Sequence, residues 1–389
     1  MFVDYTEEQL MVREMAREFA SRELLPLEDD YDFQVPLTNA AVKEIWGRLE
    51  PAFRRIADGF EPGDIDYVSL GILAEELFKV NPSLCCVLAI SAAPAMMLHL
   101  FAPDELKEEF IGPVLAGEKI GCFAITEPDV GSNPAGVECT AVAEGDHYMV
   151  NGTKTWISNG DISDLTVLVL RVKNGDEQSI GILLVDREVS PYESRELPHL
   201  GLKAFPTSEL FFTDCRVPKR NMVVGGDGGA AGTSQGLKAV FRGFEVMRTI
   251  MALGSVGIAQ AALDHSIAYA KQRKQWGKLI GEHQMIQEMI CDMSTSVDCA
   301  RLLAYRALSM LQQGKRCDRE TSMAKYFATE MAVEVTSKAI QIHGANGLSE
   351  EFGVERLWRD ARMFTIPDGT TQMQKLIVAR DLLKLSAFC

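Results

Sequence analysis

The sequence is short of the features that mark several large functional classes. Basic charge is scarce: 39 Lys and Arg face 55 Asp and Glu, a formal net charge of −16. No Lys/Arg stripe stands out, which argues against nucleic acid as a partner and against binding to anionic membrane surfaces. No uninterrupted apolar run reaches the ~18 residues that span a bilayer, so no membrane span is expected. The N-terminus opens on acidic, helix-forming sequence rather than a basic segment and an apolar core, so no signal peptide is read there. There is no C-x-x-C, and no His, Cys or carboxylate cluster has metal-ligand spacing, so no metal is expected. The nine cysteines are an odd count, with Cys85 and Cys86 adjacent; reduced, buried thiols in a cytoplasm are the expectation.

What is present is ordinary globular composition, 47% hydrophobic and 24% charged, in a chain of 389 residues, too long for a single core. Residues 1–120 read as helices. Thr6-x-x-Gln9 is a capping-box pattern, and Leu10, Met11, Met15 and Phe19 follow at helical spacing. A second helix runs from Tyr67 to Lys79 with Leu70, Leu73, Ala74 and Leu77 on one face, ended by Asn81-Pro82-Ser83. Leu84–Leu100 is almost wholly apolar and is expected to be buried all round; Asp104–Val114 is amphipathic. Residues 121–230 change to strand character: His147–Val150, then Asn151-Gly152 as a hairpin turn, then Thr153–Ile157, with Leu165–Val172 and Ile180–Val185 beyond. Short strands without intervening helices predict an antiparallel barrel or sandwich. Gly225–Gly229 reads as a joint, and 231–389 as long helices of a bundle punctuated by Gly277, Gly314 and Gly344. The class is therefore α+β with three domains.

Four stretches carry candidate chemistry. Ile366-Pro367-Asp368-Gly369-Thr370-Thr371-Gln372 sets one carboxylate on a Gly-kinked turn that opens into a helix, where a base can be held by backbone and aimed outward; the same Asp368 also reads as a helix N-cap. Ile125-Thr126-Glu127-Pro128 followed by Gly131-Ser132 offers hydroxyls and exposed backbone N–H groups, a neutral lip suited to a flavin edge or a pyrophosphate. Trp156-Ile157-Ser158 places an aromatic face and a hydroxyl where they can flank a planar ring. Arg273-Lys274-Gln275-Trp276-Gly277 is the fourth. Each stretch alone reads equally as an ordinary turn or strand. Of the six histidines, His283 and His343 fall within motifs and read as structural. Ala95-Met96-Met97 reads as core that can also line an acyl pocket.

Together and in this order, the stretches resemble the FAD-dependent acyl-CoA dehydrogenase family over nearly the whole chain. Thr126-Glu127-Pro128-x-x-Gly131-Ser132 is similar to the family's flavin loop, and Trp156-Ile157-Ser158 to its second flavin contact, with Ser158 where Thr is usual. Arg273, Gln275 and Trp276, with Gln284, resemble the segment that reaches the FAD of a neighbouring subunit; Trp276 stands where Phe is usual. Gln341-Ile342-His343-Gly344-Ala345-Asn346-Gly347 resembles the Gln-x-x-Gly-Gly-x-Gly turn, with Ala345 replacing a glycine. The resemblance implies an N-terminal α-helical domain, a middle antiparallel β-barrel and a C-terminal four-helix bundle, assembled as a homotetramer. FAD would lie between barrel and bundle, with Ile125, Thr370 and Gln372 among its contacts. It implies that a carboxylate removes the α-proton of an acyl-CoA, that the β-hydride goes to flavin N5, and that electrons pass to an electron-transferring flavoprotein. Substrate contacts fall on Ser132, Arg248, Asp368 and Gly369.

The departure lies at the base. Asp368 occupies a position that usually carries Glu, one methylene longer, and Pro367 one where an aromatic residue is frequent. A 1 Å misplacement costs roughly 100-fold in rate. A branched or alicyclic acyl-CoA, such as a cyclohexane-carboxyl thioester, would suit a retracted carboxylate better than a straight chain. Some members carry the base one residue before the bundle arginine; here that residue is Met247, which takes no proton, and Glu245 is three positions from Arg248. Rival readings are an acyl-CoA oxidase, which in the family usually carries a further C-terminal helical domain, an enoyl-CoA reductase, and a non-catalytic FAD-binding scaffold.

Overall fold

A computed structural model describes residues 5–27, 33–57, 66–174, 177–225 and 230–387. The helical N-terminal part comprises α1 (Glu7–Phe19), α2 (Asn39–Ala57), α3 (Tyr67–Phe78), α4 (Pro82–Phe101) and α5 (Asp104–Leu115). The capping box forms: Gln9 N donates to Thr6 Oγ1 at 3.2 Å and Thr6 N to Gln9 Oε1 at 3.1 Å. The buried stripe of α1 differs from the expected one. Leu10, Met11 and Met15 are exposed, while Val12, Ala16 and Phe19 at i, i+4 and i+7 face inward. On α3, Leu70 likewise turns outward and Gly71, Ile72, Ala74 and Phe78 are buried. A Cβ at Gly71 would lie 2.3 Å from a Leu308 methyl and 2.6 Å from a Leu253 methyl, so the bundle's leucines pack directly onto the helix backbone there.

Helix α4 bridges two cores. Leu84, Cys85, Val87 and Leu88 join the large helical core, and Ala95, Met97 and Leu98 join the cluster beneath the sheet. Contrary to expectation it is not buried all round, since Ala89, His99 and Leu100 meet solvent. By length and composition α4 and the Glu245–Ala270 segment could cross a bilayer, against the sequence expectation; within the fold, half of the first and 72% of the second are buried as core helices.

The middle domain is an eight-stranded sheet in the order β6-β7-β3-β2-β4-β5-β8, with β1 also on β4. Its strands are β1 (Gly121–Ala124), β2 (Thr140–Glu144), β3 (His147–Ser158), β4 (Leu165–Asn174), β5 (Glu177–Asp186), β6 (Glu193–Glu196), β7 (Thr207–Pro218) and β8 (Met222–Val224). Most pairings are antiparallel, but β4 takes both β1 and β2 in parallel. Alternate residues of β4 serve two cores: Leu165, Val167 and Val169 pack toward α4 and α5, while Leu168, Leu170 and Val172 fill the sheet's inner cluster. The Asn151-Gly152 hairpin is not formed. β3 runs straight through it, and the turn falls at Gly145-Asp146, with Gly145 at φ +54°. Asn151-Gly152 instead marks a bulge opposite β7. Asn151 exchanges hydrogen bonds with Asp214, and a Cβ on Gly152 would lie 2.7 Å from the Cys139 Cα.

The C-terminal part holds α6 (Ala230–Ala270), α7 (Gln284–Gln312), α8 (Asp318–His343), the short α9 (Val354–Met363) and α10 (Thr371–Leu383), with a small hairpin β9 (Lys274–Gln275) and β10 (Lys278–Leu279) between α6 and α7. Gly226–Gly229 of the expected joint lie outside the described residues. Of the eight described cysteines all are free; Cys291 and Cys299 on α7 are exposed rather than buried.

Candidate active site

Asp368 sits at φ +53° and Gly369 at φ +90°, a left-handed pair immediately before α10. An aspartate held there is uncommon, and such strain concentrates at functional turns. The N-cap reading of Asp368 does not survive, because Thr370 caps α10, its Oγ1 accepting from Met373 N at 3.4 Å. The turn is instead held by its carbonyls. Arg248 Nε donates to Asp368 O at 3.1 Å, Gln374 Nε2 to Asp368 O at 2.9 Å and Gly369 O at 3.0 Å, and Lys325 Nζ to Gly369 O at 3.0 Å. Neither the Asp368 carboxylate nor its backbone N–H makes a hydrogen bond among the described residues. With the carbonyls pinned toward the bundle, acid and N–H are left available together.

Burial pushes the Asp368 carboxyl above its ordinary range, and the Lys325 ammonium and then the Arg248 guanidinium pull it back. Burial in turn lowers Arg248, which Asp368 opposes, and drives Lys325 down to about 8. Glu245 acts on Asp318, whose carboxyl it holds below the ordinary range, and Met247 is a thioether that takes no proton. On α4, burial raises the Cys86 thiol, and the charges of Cys85, Asp360 and Asp368 add to that. Two surface grooves of the bundle, one beside Trp358 and Lys375 and one beside Arg316 and Arg380, do not include Asp368.

The expected lip is built on the sheet. Thr155 N donates to Thr126 O at 2.9 Å, fastening the Ile125–Ser132 loop to β3 beside Trp156. Gly131 and Ser132 are exposed, and a Cβ on Gly131 would meet nothing within 4 Å, so the loop's backbone is open to a ligand. Trp156 lies at φ +58° in a bulge between Lys154 and Ile157 and is 57% exposed. Ser158 is half-buried, whereas the Ile157 side chain lies in the sheet core and can offer a ligand only backbone. An open polar loop joined to an outward indole fits a flavin.

Arg273, Gln275 and Trp276 stand on the β9–β10 hairpin, with Trp276 at φ +53° and Gly277 at φ +79° as its two-residue turn. Trp276 is 93% exposed. Gln284 is exposed at the start of α7. At the end of α8, Gln341, Gly344 and Ala345 are exposed, the Ile342 side chain is buried, and His343 is structural, stacked on Tyr269 and bonded to Ala339 O. A Cβ on Gly344 would meet nothing within 4 Å, so this backbone is also open. Thr370 is half-buried and Gln372 exposed on α10. Within the single chain, hairpin, lip and turn each present open surface.

Four supporting residues have no role assigned from sequence, although Glu127 stands within the lip motif and Gln374 just beyond the base stretch. Glu127 and Lys154 form a buried pair at 2.7 Å under the lip; Lys154 also bonds Ile125 O at 2.7 Å, and Glu127 accepts from Glu138 N and Cys139 N. Lys325 and Gln374 are fully buried at the Asp368–Gly369 turn. A lone lysine in an apolar helical stretch was the available signal for Lys325.

A helical domain, a strand domain and a helical bundle in that order, with an acidic turn ending the bundle, define an architecture of flavin-dependent oxidoreductases. Family profiles described as acyl-CoA dehydrogenase N-terminal, middle and C-terminal domains match residues 6–118, 122–215 and 234–383. The probable acyl-CoA dehydrogenase YngJ of Bacillus subtilis is 34% identical, over 99% of this chain and 100% of that protein. The CarC subunit of the caffeyl-CoA reductase–Etf complex of Acetobacterium woodii is 34% identical, over 98% and 99%. The structure of butyryl-CoA dehydrogenase from Megasphaera elsdenii superposes with a TM-score of 0.87 at 28% identity, covering 98% of this chain and 100% of that one. The chain belongs to the acyl-CoA dehydrogenase family, and its cofactor is FAD.

Proposed function

We propose that the protein oxidises an acyl-CoA thioester across Cα–Cβ, with Asp368 as the base. One observation carries this reading: the Asp368 carboxyl is raised by burial, free of hydrogen bonds among the described residues, and held beside its own unpaired N–H. A raised carboxylate is the stronger proton acceptor, which suits a weakly acidic α-proton. The adjacent N–H is a donor for the thioester oxygen as negative charge develops there. Thr126, Gly131, Ser132, Trp156 and Ser158 would hold FAD on the sheet side, and FAD when bound supplies the acceptor for the Cβ hydride. Ser132, Arg248 and Gly369 would border the substrate.

The shorter acid favours a substrate bulky at Cα, branched or alicyclic. The arrangement of Arg273, Gln275, Trp276 and Gln284 on an exposed hairpin and helix start supports a neighbouring subunit's FAD as their target, and with it a homotetramer. An electron-transferring flavoprotein is the proposed electron partner, supported by the Etf complex to which CarC belongs, and the cytoplasm the proposed location. That CarC is named a reductase supports a second reading, in which the same site works as an enoyl-CoA reductase.

The test is anaerobic flavin bleaching of purified protein and of Asp368→Asn with butyryl-, isobutyryl- and cyclohexane-carboxyl-CoA. The variant is expected to lose roughly 10²–10⁴-fold in bleaching rate while retaining FAD. Equal bleaching by the variant rules Asp368 out as base. Reoxidation of dithionite-reduced protein by enoyl-CoAs, without bleaching by the saturated thioesters, would select the reductase direction.

A further inference from the structure

We propose that Lys325 is a positioning residue for the base: its ammonium holds the Gly369 carbonyl against the bundle, so that the Asp368 carboxylate and N–H stay turned to the substrate. This rests on the reading of Asp368 as base.

Lys325 lies on α8 in the run Ser322-Met323-Ala324-Lys325, with Ser322 and Ala324 also fully buried. A buried ammonium is costly and is retained where its partners need it. Among the described residues it makes a single hydrogen bond, to Gly369 O at 3.0 Å, although it carries three donors. The negative charge acting on it most strongly is that of Asp368, ahead of Glu330 on its own helix. From Asp368, the view is reciprocal: Lys325 is the largest favourable charge, ahead of Arg248 on α6. One side chain therefore fixes the residue after the base by hydrogen bond and stabilises the base's ionised form by charge. Gln374 shares the first task through both carbonyls but brings no charge.

The charges acting on this ammonium are Asp368 on the turn, Arg248 on α6 and Glu330 on α8; the Cys86 thiol of α4 is in turn raised by the charge of Asp368. Burial lowers Lys325 to about 8, against the pull of Asp368. As pH rises through that value the ammonium becomes neutral, and both its hold on the turn and its support of the carboxylate weaken. An alkaline limb near pH 8 is the signature. Removing the lysine raises Asp368 further, so the acid limb moves to higher pH.

Lys325→Met and Lys325→Arg are compared with the parent by anaerobic bleaching from pH 6 to 10, using whichever of butyryl-, isobutyryl- or cyclohexane-carboxyl-CoA bleaches the parent fastest, with FAD content and unfolding temperature as folding controls. Lys325→Met is expected to bleach roughly 100-fold more slowly, the scale of a 1 Å misplacement, with substrate Kd within about threefold of the parent. Its acid limb shifts upward and its alkaline limb disappears. Lys325→Arg keeps charge and donor, recovers rate, and carries no limb near 8. Parent-like rate and pH profile in Lys325→Met, or a loss confined to Kd, overturns the proposal. Should Lys325→Met fail to hold FAD, an alkaline limb remaining near 8 in Lys325→Arg overturns it, and its absence supports it. Full bleaching by Asp368→Asn refutes the base reading itself; an inert Asp368→Asn beside a parent-like Lys325→Met refutes only the role of Lys325.

Discussion

Replacing Gly369 with alanine isolates the backbone of the base turn without touching a charged group. At φ +90° an L-residue costs about 1–2 kcal/mol. The new Cβ would lie 2.7 Å from Gln374 Nε2, and Gln374 is fully buried, so it cannot swing into solvent. It must move within the core and release its bonds to Asp368 O and Gly369 O, each worth about 0.5–1.5 kcal/mol net. Strain and lost bonds together put the local cost at about 2–5 kcal/mol, enough to populate a rearranged turn. If the carboxylate shifts by 1 Å, the bleaching rate falls roughly 100-fold, about 2.7 kcal/mol of barrier. Most of the expected FAD contacts stand on the lip of another domain, although Thr370 and Gln372 follow Gly369 directly, so flavin content is expected to fall less than the bleaching rate. The assay is anaerobic bleaching with FAD occupancy measured on the same sample, plus hydrogen exchange at the turn. A Gly369→Ala protein that holds FAD and bleaches at the parent rate would falsify the claim that turn geometry sets the base.

Two further perturbations read other parts of the frame. Lys154→Met leaves Glu127 charged and buried beneath the lip, a loss of about 3–5 kcal/mol, seen as a lower unfolding temperature and weaker FAD retention. Pairing it with Glu127→Gln should recover most of the loss, and no recovery would show that the pair is not the cause. Asp360 is raised by burial from 3.8 to about 6 while accepting a hydrogen bond from Leu202 N. Because the folded form holds its proton more tightly than the unfolded one, its effect on stability declines as pH rises from about 4 to about 6 and levels off above. Asp360→Asn is expected to remove that slope from unfolding measured against pH; an unchanged slope assigns it to another group.

The order of helices, strands and helices was legible because periodicity switches twice along the chain, and the Thr6–Gln9 box was legible because capping is local. The candidate site's motifs could be picked out from sequence, since Asp368, Trp156 and Trp276 stand in them, and the structure adds that all three adopt positive φ. What stayed hidden is what depends on distant partners. Asn151-Gly152 carries a turn signal, yet Asp214 across the sheet converts it to a bulge. Leu10, Met11 and Met15 follow helical spacing, yet the neighbouring helices select Val12, Ala16 and Phe19. Lys154, Lys325 and Gln374 read as surface residues by type; only the carbonyls and carboxylate they meet in the fold explain their burial.

Among the described residues, the side chains of Arg248, Gln374 and Lys325 that hold Asp368 and Gly369 all donate to main-chain oxygens, and none donates to the Asp368 carboxylate. Such a mount is indifferent to the side chain it carries. On the proposed reading, an acid one methylene longer or shorter could be carried on the same bracket without disturbing its anchors, so the reach of the acid and the shape of its mount are set by different residues.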